Sequence, residues 1–385
     1  MKQDNMPLIA AGTLLIGICY GLARFAYGLF LPQIRADVGL DATIAGVIGS
    51  GAYLGYCMAI VVSALLVERL GPRTVAVGAA LIAAAGMAVV ALSHSAWLLA
   101  AAMIFAGMST GLASPPMAQA VSVRIHRARQ ARANTVINAG TSLGVAISGP
   151  AAFLATGQWR LAYGAFALAA LANALWLLMV MPRSSSRADA SNDHGATLWR
   201  LRAVKLMAAA TGMGIASAAF WTFAGEVITH VGDKPQQIAN LAWIVMGLAG
   251  LAGAMTGDLI KRFGLNAIHR LALTAMALAL WLIVAAAGHN TATLAAAALF
   301  GASYIMLTGI YLVWGIEVFE DRPAIGLGLP FLMIAIGQVM GSPLAGSLIA
   351  HLGYGGCFNV FAVIALLTML AHYRAPQLRQ PAPAT

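Results

Sequence analysis

The sequence predicts an all-α membrane protein of about twelve spanning helices arranged as two similar six-helix bundles. Three observations predict it: a composition that cannot clothe a water-soluble surface, apolar runs of membrane-crossing length, and an internal repeat. Of 385 residues, 61% are hydrophobic and 9% charged, with a mean hydropathy of +0.85, against roughly a quarter charged in a soluble domain. A soluble chain of this size needs charge over most of its exterior, whereas a bilayer-embedded one needs it only in loops.

Crossing about 30 Å of hydrocarbon takes roughly 17 to 25 apolar residues in helix. Runs of that length cover 8–31, 43–66, 74–93, 96–121, 134–156 and 161–181, then 204–229, 238–260, 267–288, 291–316, 325–350 and 355–373. The interval 182–203 carries Pro182, Asp189, Asn192, Asp193 and His194, a polar composition that buries no core. The expected organisation is therefore a bundle over 1–181, a linker over 182–203, a second bundle over 204–374 and a tail over 375–385.

The repeat supports the division. The stretch ending Glu68-Arg69-Leu70-Gly71 corresponds to the one ending Lys261-Arg262-Phe263-Gly264, an offset of 193 residues. At the same offset Gly144 falls on Gly337, and Gly149-Pro150 on Ser342-Pro343. Two separate landmarks in one register mark a duplicated unit.

Charge sets the expected orientation, because loops rich in Lys and Arg stay in the cytoplasm. With both termini inside, every Lys and Arg falls on a cytoplasmic segment except Arg35, Arg160 and Lys234 outside and Arg24 within a span. The net charge of +10 is then a matter of topology and contact with anionic headgroups, and the basic run from Arg124 to Arg132 calls for no nucleic acid. The first helix lacks a cleavage-site pattern and is expected to be a retained anchor. Cys19, Cys57 and Cys357 sit singly inside spans, and His94, His230, His289 and His351 do not cluster, so neither metal nor cofactor is expected. No nucleotide-binding loop is present either, which leaves an ion gradient or the solute's own gradient as the energy source.

Several motifs carry a family resemblance. Glu68-Arg69-Leu70-Gly71-Pro72-Arg73 is similar to the acidic-Arg-x-Gly-basic-basic turn of the major facilitator superfamily, with Glu for Asp and Pro72 for one basic residue. Gly140-Thr-Ser-Leu-Gly144 through Gly149-Pro150 resembles its glycine-rich fifth-helix motif, Trp159-Arg160 its Trp-Arg pair, and Tyr20 through Pro32 the opening of the YbfB-like branch. The resemblance runs nearly the whole chain. It implies a transporter in which two halves rock about a central pocket, lined by the first, fourth, seventh and tenth helices.

Residue chemistry points to the same place. Tyr20, Arg24 and Tyr27 stand at i, i+4 and i+7 and share a helix face; Tyr304, Thr308 and Tyr311 repeat the spacing. Ser217 and Trp221 are the seventh helix's contribution, and the amides Asn138 and Gln338 either contact solute or bond helix to helix. Small residues at Gly140, Gly144 and Ser148 let a neighbouring backbone come close, an expected sliding contact, with Gly149 and Pro150 completing the packing set. Glu68, Arg69 and Arg73, with Asp258 and Arg262 in the second copy, are expected to latch the cytoplasmic ends.

Glu226 is the carboxylate that lies inside a span away from the cytoplasmic ends. Desolvation favours the neutral form of a carboxyl group, the property a proton-coupling group requires. Arg24 costs about 2.5 to 3.5 kcal/mol to insert at a helix centre and demands a partner; Glu226 is one option, a carboxylate-bearing solute the more economical one. The expected protein is a monomeric, multi-pass secondary transporter of a small solute in a bacterial inner membrane, possessing an organic anion site and proton coupling. A solute-sensing receptor on the same fold, or an efflux pump for drugs or metabolites, stays open as an alternative.

Overall fold

The computed structural model describes residues 5–155, 157–182, 201–319 and 323–373, and within them every regular element is a helix, joined by short turns. The linker residues 183–200 and the tail 375–385 lie outside the described residues. Among the described residues eleven helices are long and apolar enough to cross a membrane, and the last of them, Ile325–Thr368, turns at Gly353, which brings the crossings to twelve. We number them α1 (Met6–Val38), α2 (42–70), α3 (72–92), α4 (Ala96–Arg124), α5 (Arg127–Leu154), α6 (Trp159–Val180), α7 (Arg202–Val231), α8 (Gln236–Phe263), α9 (Leu265–Ala285), α10 (Asn290–Val318), α11 (323–352) and α12 (354–368).

Local chemistry starts and stops these helices where the sequence requires. Gly39 takes a left-handed conformation to end α1, and the Asp41 carboxylate caps α2 by accepting from Ile44 N at 2.7 Å. Ser95 caps α4 in the same manner. The repeat is visible in the backbone itself. Gly71 (φ 80°, ψ 158°) breaks α2 from α3, and Gly264 (φ 82°, ψ 151°), 193 residues on, breaks α8 from α9. That conformation is closed to residues carrying a Cβ, so both copies of the turn need the glycine the sequence repeats.

The exterior is apolar. Trp97, Leu168, Met179, Leu271 and Leu367 are exposed, an inside-out surface that only lipid satisfies. In the first half α4 packs on the α2–α3 pair and α5 on α1; in the second, α7 packs on α11 and α10 on both α8 and α9. Gly140 and Gly144 lie directly against the backbone of Thr13 and Gly17. They therefore fasten α5 to α1 inside one half, the close backbone approach expected of them. Gly149 does face the other half, against Asn240 and Ile244 of α8. Gly337, the repeat partner of Gly144, meets Thr211 and Gly214 of α7, so each half uses the same glycine to the same end.

A side chain at residue 144 has no room, because its Cβ would overlap the Gly17 carbonyl, whereas one at residue 164 meets open space. Overpacking costs about 1–3 kcal/mol in a core that can yield and more against a backbone. Gly144→Val is expected to lose the monodisperse peak in size-exclusion chromatography, and Gly164→Val to keep it.

Candidate functional site

The first helix does not run regularly to the site. From Gly17 to Phe25 it opens into wide π-type turns, a feature concentrated at functional positions, and Arg24 stands near the end of that segment. Its side chain is 5% exposed. Nη2 donates to Gln338 Oε1 of α11 at 2.5 Å, and Gln338 Nε2 donates in turn to the Tyr304 hydroxyl at 3.2 Å and, more weakly, to Ser217 Oγ at 3.4 Å. Four rings surround the guanidinium carbon, with centroids at 4.5 Å (Tyr53), 4.9 Å (Phe25), 5.0 Å (Tyr56) and 5.9 Å (Tyr20). Cation–π contact of this kind offsets part of the charge's desolvation. No carboxylate does: among the described residues the ion pairs are Arg35 with Glu226 and Arg160 with Asp37. Arg24 Nε is buried without an acceptor, and the indole Nε1 of Trp221 is buried near the Tyr304 hydroxyl without a well-formed hydrogen bond.

Further along α1, toward the end of the molecule away from Met6 and Thr368, the halves are sealed. Gly28 abuts the backbone of Trp221, Gly225 abuts that of Gly28, and on α2 and α11 Gly46 meets Ser342 while Gly346 meets Ala42. Here Arg35 Nη1 donates to both Glu226 oxygens, at 2.6 and 2.8 Å, and the Tyr354 hydroxyl donates to Oε2 at 2.7 Å. Glu226 is fully buried; the Arg35 side chain keeps 23% of its surface beside a cavity of about 340 Å³ that Pro32, Leu40 and His230 also line. Two more bonds cross between the halves at these depths, Trp243 Nε1 to the Phe25 carbonyl and Gln236 Nε2 to the Leu29 carbonyl.

The structure gathers Tyr20, Arg24, Ser217, Trp221, Tyr304 and Gln338 into one neighbourhood, Tyr20 being hydrogen-bonded to Ser114 at 3.0 Å. Other expected members fall elsewhere. Tyr27 donates to the Ala45 carbonyl and joins α1 to α2; the wide turn ahead of it ends the regular spacing that would have put it beside Arg24. Tyr311 donates to the Ala209 carbonyl and contacts His269 Nε2 at 3.1 Å, so it packs inside the second half. Thr308 is half-buried and bonded to its own helix at the Ile305 carbonyl. Asn138, expected to be a buried amide, is exposed beside the break in α5 at Ala139.

Of the expected latch, Glu68, Arg69, Asp258 and Arg262 are exposed and enter no ion pair among the described residues, while Arg73 donates to the Leu178 carbonyl of α6. Arg262 lies over the ring of its neighbour Phe263 at 5.1 Å. Glu226 is paired with Arg35, not Arg24.

Sequence reasoning passed over Tyr53 and Tyr56, whose i, i+3 spacing on α2 was the available signal, and treated Arg35 as a loop charge. It also passed over His269, which is fully buried within α9 against Tyr311 and Trp314.

Comparison with known proteins agrees with this architecture. Residues 13–329 match the family model described as Major Facilitator Superfamily. The fold superposes on the nucleoside transporter NupG with a TM-score of 0.77 at 13% identity, over 96% of this chain and 98% of that one. On the xylose transporter XylE from E. coli, in a partially occluded inward-open conformation, the TM-score is 0.76 at 15% identity, over 94% and 96%. The Arabidopsis thaliana protein called Probable anion transporter 4, chloroplastic, is 26% identical over 191 residues, which span 49% of this chain and 36% of that relative. With twelve crossings among the described residues, in two like halves with a polar cluster buried between them, this multi-pass membrane transport protein belongs to the major facilitator superfamily.

Proposed function

We propose that this secondary transporter moves a small organic anion by alternating access, holding the anionic group at Arg24. One observation carries the reading: a guanidinium 5% exposed between the two halves, with no carboxylate in ion-pair range among the described residues. A buried unpaired cation is costly, and a solute carboxylate gripped bidentately offsets that cost during the part of the cycle in which it is bound. The name of the Arabidopsis relative, Probable anion transporter 4, supports the same class.

In this reading the protein works as a monomer in a bacterial inner membrane with both termini in the cytoplasm. The described conformation is then sealed on the outside by Arg35, Glu226 and the glycine contacts, with the charged turns at the cytoplasmic face unlatched. Glu226 serves as the proton-coupling group. Its negative charge is what ties Arg35 across the halves, so protonation weakens that tie.

Proteoliposome assays test both parts. Counterflow is expected for small carboxylates and not for neutral sugars or nucleosides; exchange of neutral solutes alone sinks the anion reading. Glu226→Gln should abolish proton-driven accumulation while exchange continues, and accumulation with an unchanged pH dependence would remove Glu226 from the coupling role.

A further inference from the structure

Resting on the anion reading, we infer that the site is built for a monocarboxylate carried on a flat ring. The first reason is a mismatch of donors and acceptors. Arg24 Nε is buried with no acceptor, and Trp221 Nε1 is buried with only the Tyr304 hydroxyl near it and no well-formed hydrogen bond; the two come from opposite halves of the protein. The Tyr304 hydroxyl already accepts from Gln338, which leaves its own proton to give. In this conformation the single side-chain acceptor on the guanidinium is the Gln338 amide oxygen. A ligand that satisfies the cluster must therefore bring acceptors and negative charge, and Gln338 occupies the place a carboxylate oxygen would take. Such unpaired buried donors discriminate strongly against ligands that cannot accept from them.

The second reason is the wall. Phe25 of one half stacks on Trp221 of the other with ring centroids 3.9 Å apart and planes 19° from parallel. Tyr304 stands edge-on to both, at 6.0 and 5.1 Å, and Tyr53 and Tyr56 close the side toward α2. Stacked and edge-on rings at these separations are the arrangement an aromatic guest prefers, and parting the Phe25–Trp221 stack opens a slot next to the charge. The third reason is number. One cation stands in the cluster, and the tyrosine hydroxyls around it are neutral donors that bring no second positive charge, so a second negative charge would be buried without a counter-ion and dicarboxylates and phosphate esters are disfavoured.

Calorimetric titration of the purified full-length protein in detergent tests the inference without interference from passive permeation. The probes are benzoate, cyclohexanecarboxylate, benzyl alcohol and succinate. Benzoate is expected to bind at least ~10-fold more tightly than benzyl alcohol or succinate, from the charge-assisted bond, and ~3-fold or more above cyclohexanecarboxylate, from stacking. Trp221→Phe should weaken both ring acids about equally while keeping their order, because it removes the indole N–H and keeps a ring. Trp221→Leu should erase the preference for benzoate over cyclohexanecarboxylate. Benzoate binding no tighter than cyclohexanecarboxylate or succinate, or a preference that survives Trp221→Leu, overturns the ring-bearing class. The broader anion reading falls separately, if no carboxylate binds in a manner that depends on Arg24.

Discussion

Arg24→Ala is expected to lower carboxylate exchange by ~100-fold or more while leaving the protein folded. Truncating one partner of a buried, charge-assisted contact costs about 2–5 kcal/mol, and each 1.4 kcal/mol is tenfold in affinity. Folding should survive because the empty protein gains little from Arg24: its one hydrogen bond goes to a neutral amide, and removing the guanidinium relieves a desolvated charge. Gln338 retains Tyr304 as a partner. Arg24→Lys separates charge from geometry. An ammonium keeps the attraction but loses the planar fork, so exchange should fall by about 10-fold, between wild type and alanine. The measurement is counterflow of a carboxylate in proteoliposomes, with size-exclusion profiles as the folding control. Exchange by Arg24→Ala with unchanged affinity and rate removes Arg24 from the pocket.

Arg35→Ala should unseal the opposite end of the molecule, and more severely than Glu226→Gln. The asymmetry follows from burial. Losing Arg35 leaves a fully buried carboxylate without its cation, a situation worth about 3–5 kcal/mol; losing the Glu226 charge leaves a guanidinium whose side chain already reaches solvent. Val227, fully buried next to Glu226 on α7, reports the seal. In a background lacking Cys19, Cys57 and Cys357, Val227→Cys should react with a membrane-impermeant maleimide ~100-fold faster once Arg35 is alanine. The double change Arg35→Ala with Glu226→Gln should recover most of the protection. If the double variant labels as fast as Arg35→Ala alone, the pair is not the latch.

The architecture could be read from the chain because membrane insertion is decided by local composition: each crossing declares itself in some twenty consecutive residues. The repeat could be read because its turns need glycine at Gly71 and Gly264 for reasons of backbone geometry. The site was half legible. Arg24 announced itself by being expensive, and Tyr304, Trp221, Ser217 and Gln338 by polarity or size at inward positions. The misassignments have one physical origin, since spacing along one helix says nothing about how that helix is wound or what lies across from it. Tyr27 drops out because of the wide turn, Tyr311 because its hydroxyl is spent on Ala209 and His269, and Arg35 was missed because its partner is 191 residues away.

The wide turn in α1 also has a geometric consequence. In a regular helix, residues eleven apart share a face, since about 3.6 residues complete each turn, and Gly17 and Gly28 are eleven apart. Yet Gly17 lies against Gly144 of its own bundle and Gly28 against Trp221 of the other. The segment Gly17–Phe25 winds fewer degrees per residue and so sets an angular offset between the two glycines. One helix can thereby be fixed to one bundle along its first half and meet the opposite bundle along its second. Chain length inside that segment is thus a structural parameter: removing a single residue there would rotate everything beyond it by a large fraction of a turn, somewhat less than the ~100° per residue of a regular helix, taking Gly28 and Arg35 off α7 together, though no side chain in either contact had been altered.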